Sequence, residues 1–183
     1  LEQACSQLAR WSREPALANL SVAVNINARH FHQPNFVAEI LQLIERTGIE
    51  PSRLHIELTE SVLMEDLGAA TANMHALRPH GVRISLDDFG TGYSSLSYLK
   101  NLPLDWLKID QAFVRNMATD HNDAAIVRAV IAVADSLGLG VIAEGVETDE
   151  VRHLLASYGC SHYQGYLFAR PLAPADFEAF ALA

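Results

Sequence analysis

Leu86-Asp87-Asp88-Phe89-Gly90-Thr91-Gly92 joins the apolar run Val82 to Leu86 to two adjacent carboxylates, then to two glycines one residue apart. Glycine accepts backbone conformations closed to other residues, so the stretch reads as a strand breaking into a tight loop. Paired acids at a strand end are poor structural material, because like charges repel and burial penalises each of them. A divalent cation removes both objections. For an isolated pair, a solvated Asp-Asp turn before a helix is the plain alternative. The rest of the chain argues against it.

On either side of this stretch, strand-like and helix-like patterns alternate about six times. Alternation predicts strands over Leu20–Asn27, Leu54–Glu60, Arg83–Asp88, Trp106–Asp110, Leu139–Val146 and His162–Gly165. Helical spacing predicts helices over Leu1–Arg13, Phe36–Thr47, Asp66–Arg78, Tyr93–Asn101, Asn122–Leu137, Thr148–Tyr158 and Ala175–Phe180. Such alternation means a parallel sheet with crossover helices, either an open doubly wound sheet or a (β/α)8 barrel. Asn25, Glu57, Asp87, Lys108 and Glu144 all fall on the polar parity of their strands, and one face therefore carries all five. Helices cover both faces of an open sheet, which should make both parities apolar. A barrel points one parity inward and gathers polar groups at its C-terminal rim, so the pattern favours a TIM-like barrel. The fold typically needs about 250 residues and eight strands, and about six strands are legible here. The barrel is expected to be incomplete at its N-terminus.

At 183 residues, half of them hydrophobic, the chain is most economically one domain spanning 1–183. A net charge of −9 with no basic run gives no attraction to a nucleic-acid polymer or an acidic membrane surface. Cys5 and Cys160 stand far apart with no CxxC, which argues against a disulfide framework or zinc site and fits a reducing cytoplasm. No apolar run approaches the ~18–20 residues of a membrane span. Gly90-x-Gly92 fails as a dinucleotide fingerprint because Ser95 replaces the third glycine. His30 and His32 are expected to be surface histidines in a loop. Ile126, Ala129, Val130 and Val133 are expected to be helical core.

The polar face offers Asn25, Glu57, Asp87 and Asp88 as oxygen donors, with no thiolate among them. Hard oxygens select magnesium, manganese or calcium. Several carboxylates can hold two cations about 3.5–4 Å apart, the arrangement that promotes in-line displacement at phosphorus. Lys108 could orient a water or balance phosphoryl charge, and Glu144 could ligate the second cation or act as general base.

Glu57-Leu58-Thr59-Glu60-Ser61, Asp87-Asp88-Phe89-Gly90-Thr91-Gly92-Tyr93-Ser94-Ser95-Leu96, Leu107-Lys108-Ile109-Asp110, Ala143-Glu144-Gly145-Val146-Glu147 and Gln164-Gly165-Tyr166 resemble the signatures of the EAL domain. That family comprises cyclic di-GMP phosphodiesterases of bacterial signalling, built on a modified (β/α)8 barrel. The resemblance implies that Asn25, Glu57 and Asp87 bind the first cation and that Asp87 bridges to a second held also by Asp88. The cations would be Mg2+ or Mn2+. Lys108 would position the attacking water, and Glu144 would act as base or second-site ligand. Glu60 would support the Asp88-to-Tyr93 loop, and Glu147, Gln164 and Pro171 would lie near the nucleotide. The implied reaction opens cyclic di-GMP to linear pGpG in the cytoplasm. The implied partner is a second copy of the domain, docked through the loop and helix after Asp88, with other domains supplying any membrane anchor.

The family's Glu-Ala-Leu tripeptide, whose glutamate ligates the first cation, does not occur in this sequence. The resemblance therefore implies a domain truncated before Leu1, with hydrolysis weak or nil in this chain. A cyclic di-GMP receptor without catalysis is the alternative reading.

Overall fold

Valine alternation at Val22 and Val24 becomes strand β1 (Val22–Asn25), which pairs in parallel with β2 (Leu54–Thr59) so that Asn25 stands beside Glu57. The computed structural model describes residues 1–90 and 96–182. These form two units, Leu1–Ile84 with Leu172–Ala183, and Ser85–Pro171.

In the first unit, α1 (Glu2–Trp11) precedes β1, and α2 (Ala28–Phe31) and α3 (Phe36–Thr47) separate β1 from β2. Then come α4 (Glu60–Glu65) and α5 (Leu67–Leu77). Asn27 starts α2 by accepting from the His30 amide, and Gly48, at φ 65°, ends α3 in the left-handed conformation that glycine tolerates. The core is apolar and close-fitting: Phe31, Phe36, Ile40, Leu54, Ile56, Leu58, Met74 and Leu77 are fully buried. Each contributes about 1.5–3 kcal/mol relative to exposure. Arg53 is buried at the entrance to β2, where Nε donates to Leu20 O at 2.6 Å. That charged donor satisfies the carbonyl just before β1, a bond worth about 1.5–3 kcal/mol.

The second unit holds β3 (Arg83–Phe89, from Ser85 onward), α6 (Leu96–Leu99), β4 (Trp106–Ile109) and α7 (Gln111–Val114). It continues with α8 (His121–Leu137), β5 (Gly140–Glu144), α9 (Asp149–Ser157) and β6 (His162–Gln164). Its four strands pair in parallel and in chain order. Asp120 caps α8 through the amides of Asn122 and Asp123, and Thr148 caps α9 through Val151. The chain ends with α10 (Pro174–Ala181), back in the first unit. There the Glu178 carboxylate accepts from Gln7 and from the Trp11 indole, both at 2.9 Å.

Several expectations need correcting. Glu60 opens helix α4 rather than ending β2. The buried stripe of α8 is Ala124, Val127, Val130, Ile131 and Ala134, whereas Ala129 is exposed. This helix is apolar around most of its girth, so periodicity alone left the stripe one residue adrift. Helices α2, α4 and α7 are absent from the predicted pattern. The predicted Tyr93–Asn101 helix appears as α6, and Tyr93 to Ser95 lie outside the described residues.

Candidate active site

Strand β3 loses its alternation where the two acids stand. Leu86 aligns with Leu107 but Phe89 aligns with Ile109, so three steps on β3 meet two on β4. This is a β-bulge, which re-aims a side chain. Asp88 takes φ 55°, the one non-glycine positive φ among the described residues, and its amide donates to Asp87 Oδ1 at 3.0 Å. Aspartate tolerates this left-handed backbone better than most residues because its short side chain bonds locally. Strict alternation would send the two carboxylates to opposite faces. The bulge instead brings an oxygen of each together with one of Glu144, all within 4.8 Å of one another.

Lys108 lies among them. Its ammonium is 2.7 Å from Glu144 Oε1 and 3.1 Å from Asp87 Oδ2, and its side chain is only 4% exposed. Two carboxylates thus face one buried ammonium, and Asp88 adds a third acid nearby. Burial pushes the Asp88 carboxyl above its ordinary value. A hydrogen bond with Asp110 and the charges of Asp87 and Asp110 push it further, while Lys108 opposes them. Exposed acidic groups are commonplace, but buried ones need a partner. Three converging carboxylate oxygens, with no sulfur or imidazole, make a donor set suited to a hard divalent cation such as magnesium or manganese.

The second unit therefore gathers Asp87, Asp88, Lys108 and Glu144. In the first, β1–β2 register sets Asn25 beside buried Glu57, and the Ile26 amide donates to Glu57 O at 3.0 Å. Glu60 is buried at the start of α4. The loop it was expected to support, beyond Gly90, lies outside the described residues. Glu147 is half-exposed and paired with Arg115 at 2.9 Å rather than with the acids. Gln164 stands next to Glu144 in register, and Pro171 is exposed. His30 is helical rather than in a loop, whereas His32 stands in the turn after α2 as expected. His30 sits in α2 against Glu39 at 3.1 Å, and His32 Nε2 lies 3.0 Å from Val62 O. Residue-type reasoning missed Asp110, which bonds Asp88 and also caps α7 through the Ala112 amide at 2.7 Å. The available signal was an acid at a strand end two residues after Lys108, in the position of a helix cap.

The family model for the EAL domain matches residues 1–171, and the chain belongs to that family. MucR of Pseudomonas aeruginosa, a bifunctional diguanylate cyclase/cyclic di-GMP phosphodiesterase, is 43% identical over 176 residues, 96% of this chain and 25% of that protein. The solved EAL domain of Mycobacterium smegmatis DcpA superposes with a TM-score of 0.94 at 35% identity, covering 99% of this chain and 81% of that one. Klebsiella pneumoniae BlrP1, solved as a manganese/cyclic di-GMP complex, gives 0.84 at 32% identity, covering 94% and 43%. The expected EAL-type α/β fold is thereby established. The chain spans about a quarter of the length of the curated relatives it matches.

Proposed function

We propose that this chain, read as one EAL-type domain, hydrolyses one phosphodiester bond of cyclic di-GMP to give linear pGpG, using two divalent cations. The observation that carries the reading is the buried Lys108 ammonium set among the carboxylates of Asp87, Asp88 and Glu144. A generic solvated acid patch would not hold an ammonium 4% exposed at its centre.

Asp87, Asp88 and Glu144 are the proposed holders of one cation, and Asn25 and Glu57 are proposed for the other. Bound magnesium or manganese supplies Lewis-acid polarisation of a phosphoryl oxygen. Glu144 takes a proton from the attacking water, whose oxygen bonds to phosphorus as the ester P–O bond opposite it breaks. The Lys108 ammonium donates toward the attacking water or the phosphoryl oxygen where negative charge builds. Glu147, Gln164 and Pro171 are the proposed nucleotide contacts. The same reading assigns the domain to the cytoplasm, in keeping with two free buried cysteines, and gives it a second copy as partner through the segment after Asp88. Among the described residues, no helix is long and apolar enough to cross a membrane.

A receptor that binds the dinucleotide without cleaving it is the second reading, favoured by the Lys108 ammonium 2.7 Å from Glu144 Oε1, which occupies the carboxylate proposed as base. Calorimetry with cyclic di-GMP and Mn2+, with pGpG followed by chromatography, separates the two. Binding with slow pGpG release is the expected result. Glu144→Gln should stop that release, by about 100-fold or more, and should weaken Mn2+-dependent binding as well, because the same carboxylate is a proposed cation holder. Binding with no pGpG from the unaltered chain favours the receptor, and no binding defeats both readings.

A further inference from the structure

Helix α7 has only four residues, yet it touches both turns that follow the acids. At its start Asp110 bonds the Asp88 side chain while capping the helix through Ala112. The Phe113 ring packs on the turn after Asp88, so close that a Cβ at Gly90 would lie 3.3 Å from its Cε2. Gln111 packs on the turn after Glu144, where a Cβ at Gly145 would lie 2.5 Å from Gln111 Cβ. At the far end Arg115 pairs with Glu147 at 2.9 Å. Both glycines have positive φ, 101° and 70°, so neither position accepts a larger residue easily. Backbone bonds Val146 N to Gln164 O and Leu167 N to Val146 O, each 3.0 Å, hold the second turn from the other side.

Two strand ends that share one cation, each running straight into a glycine turn, must keep their separation to a few tenths of an ångström, and such turns do not hold it unaided. A rigid piece wedged between them does. We propose that α7 is the spacer that fixes Asp88 and Glu144 against one another, with Phe113 as its positioning residue. This rests on the metal-binding part of the function proposed above. Phe113 touches neither substrate nor cation in this scheme. It acts by holding the Gly90 turn, and through the helix body it keeps the Gly145 turn in step.

The test uses the whole chain with Phe113→Ala and Phe113→Leu, free Mn2+ as the probe counted by electron paramagnetic resonance, and amide NMR spectra without metal. Phe113→Ala is expected to move the amide resonances of both 88–90 and 144–147 and to leave those of β1 and β2 in place. It should weaken Mn2+ binding about tenfold, as loss of outer-layer support typically does. Phe113→Leu, which refills most of the volume, should restore binding to within about threefold. Movement of 88–90 alone, with 144–147 unshifted, overturns the spacer. So does unchanged Mn2+ affinity in Phe113→Ala. If the unaltered chain binds no Mn2+, the proposed metal centre fails on its own, and the NMR comparison still decides whether α7 couples the two turns. If Phe113→Ala loses dispersion everywhere, Arg115→Ala, an exposed change, takes its place in the NMR arm. It must then move 144–147 and, through α7, 88–90.

Discussion

Trp106 and Lys108 lie two residues apart on one face of β4, in surroundings that share nothing. At the Trp106 end the indole lies over Gly140, its register partner, and meets the His162 ring edge-on at 4.8 Å. A side chain on residue 140 would fall inside that ring, so size complementarity is the rule there. A cavity of about 590 Å³, lined by Trp106, Arg128, Tyr158 and His162 among others, opens beside it. At the Lys108 end, bulk matters little and charge decides: one ammonium is hemmed in by carboxylates that need it. The same strands thus build a packed end and a charged end, the latter at the C-terminal edge where barrel strands gather their polar groups.

Lys108→Met is the most damaging way to probe this contrast. Leaving Asp87 and Glu144 with no buried counter-charge should cost about 3 kcal/mol of metal-free stability by urea unfolding. Saturating Mn2+ should return part of it, since a ligand bound only to the folded chain stabilises that chain. A loss no larger than that of an ordinary surface change would mean the ammonium is not structurally required. Gly140→Ala comes next. Overpacking typically costs about 1–3 kcal/mol, and the open cavity lets the indole swing aside, so about 1 kcal/mol is expected. Mn2+ affinity should stay unchanged, and a drop would show that the two ends are not independent.

The smallest effect is the pH dependence of the metal-free chain. The folded state holds the Asp88 proton more tightly than the unfolded state, because its pKa is raised from 3.8. That contribution is present in full below the unfolded value and is lost as pH rises through the folded one. Urea midpoints in chelator should therefore fall with rising pH across that window. Asp88→Asn should flatten the slope, and because solvent screens much of that carboxyl the change is small.

Much of this was legible in the residue order. Strand parity placed Asp87, Lys108 and Glu144 on one face because a two-residue period survives wherever one side packs and the other does not. Helix ends were legible where glycine stood, as at Gly48 and Gly138. What escaped has a common physical origin. Helices of four to six residues, α2, α4 and α7, complete too few turns to declare a 3.6-residue rhythm. Asp88's orientation comes from a bulge, and its neighbour Asp110 from the adjacent strand, and both depend on pairing rather than on local pattern. The stripe of α8 slipped by a residue because a helix that is apolar most of the way round fits more than one rotation.

The surplus residue in β3 ties the length of the strand to the donors at its end. Substituting an acid subtracts one donor and leaves the strand register as it is. Excising Asp87 or Asp88 would bring β3 back into step with β4, but it would also remove one of the two acids, so register and donor set change together. The two carboxylates meet Glu144 on one face only because β3 runs one residue longer than its neighbour, so the length of the strand and the chemistry of its end are a single inheritance.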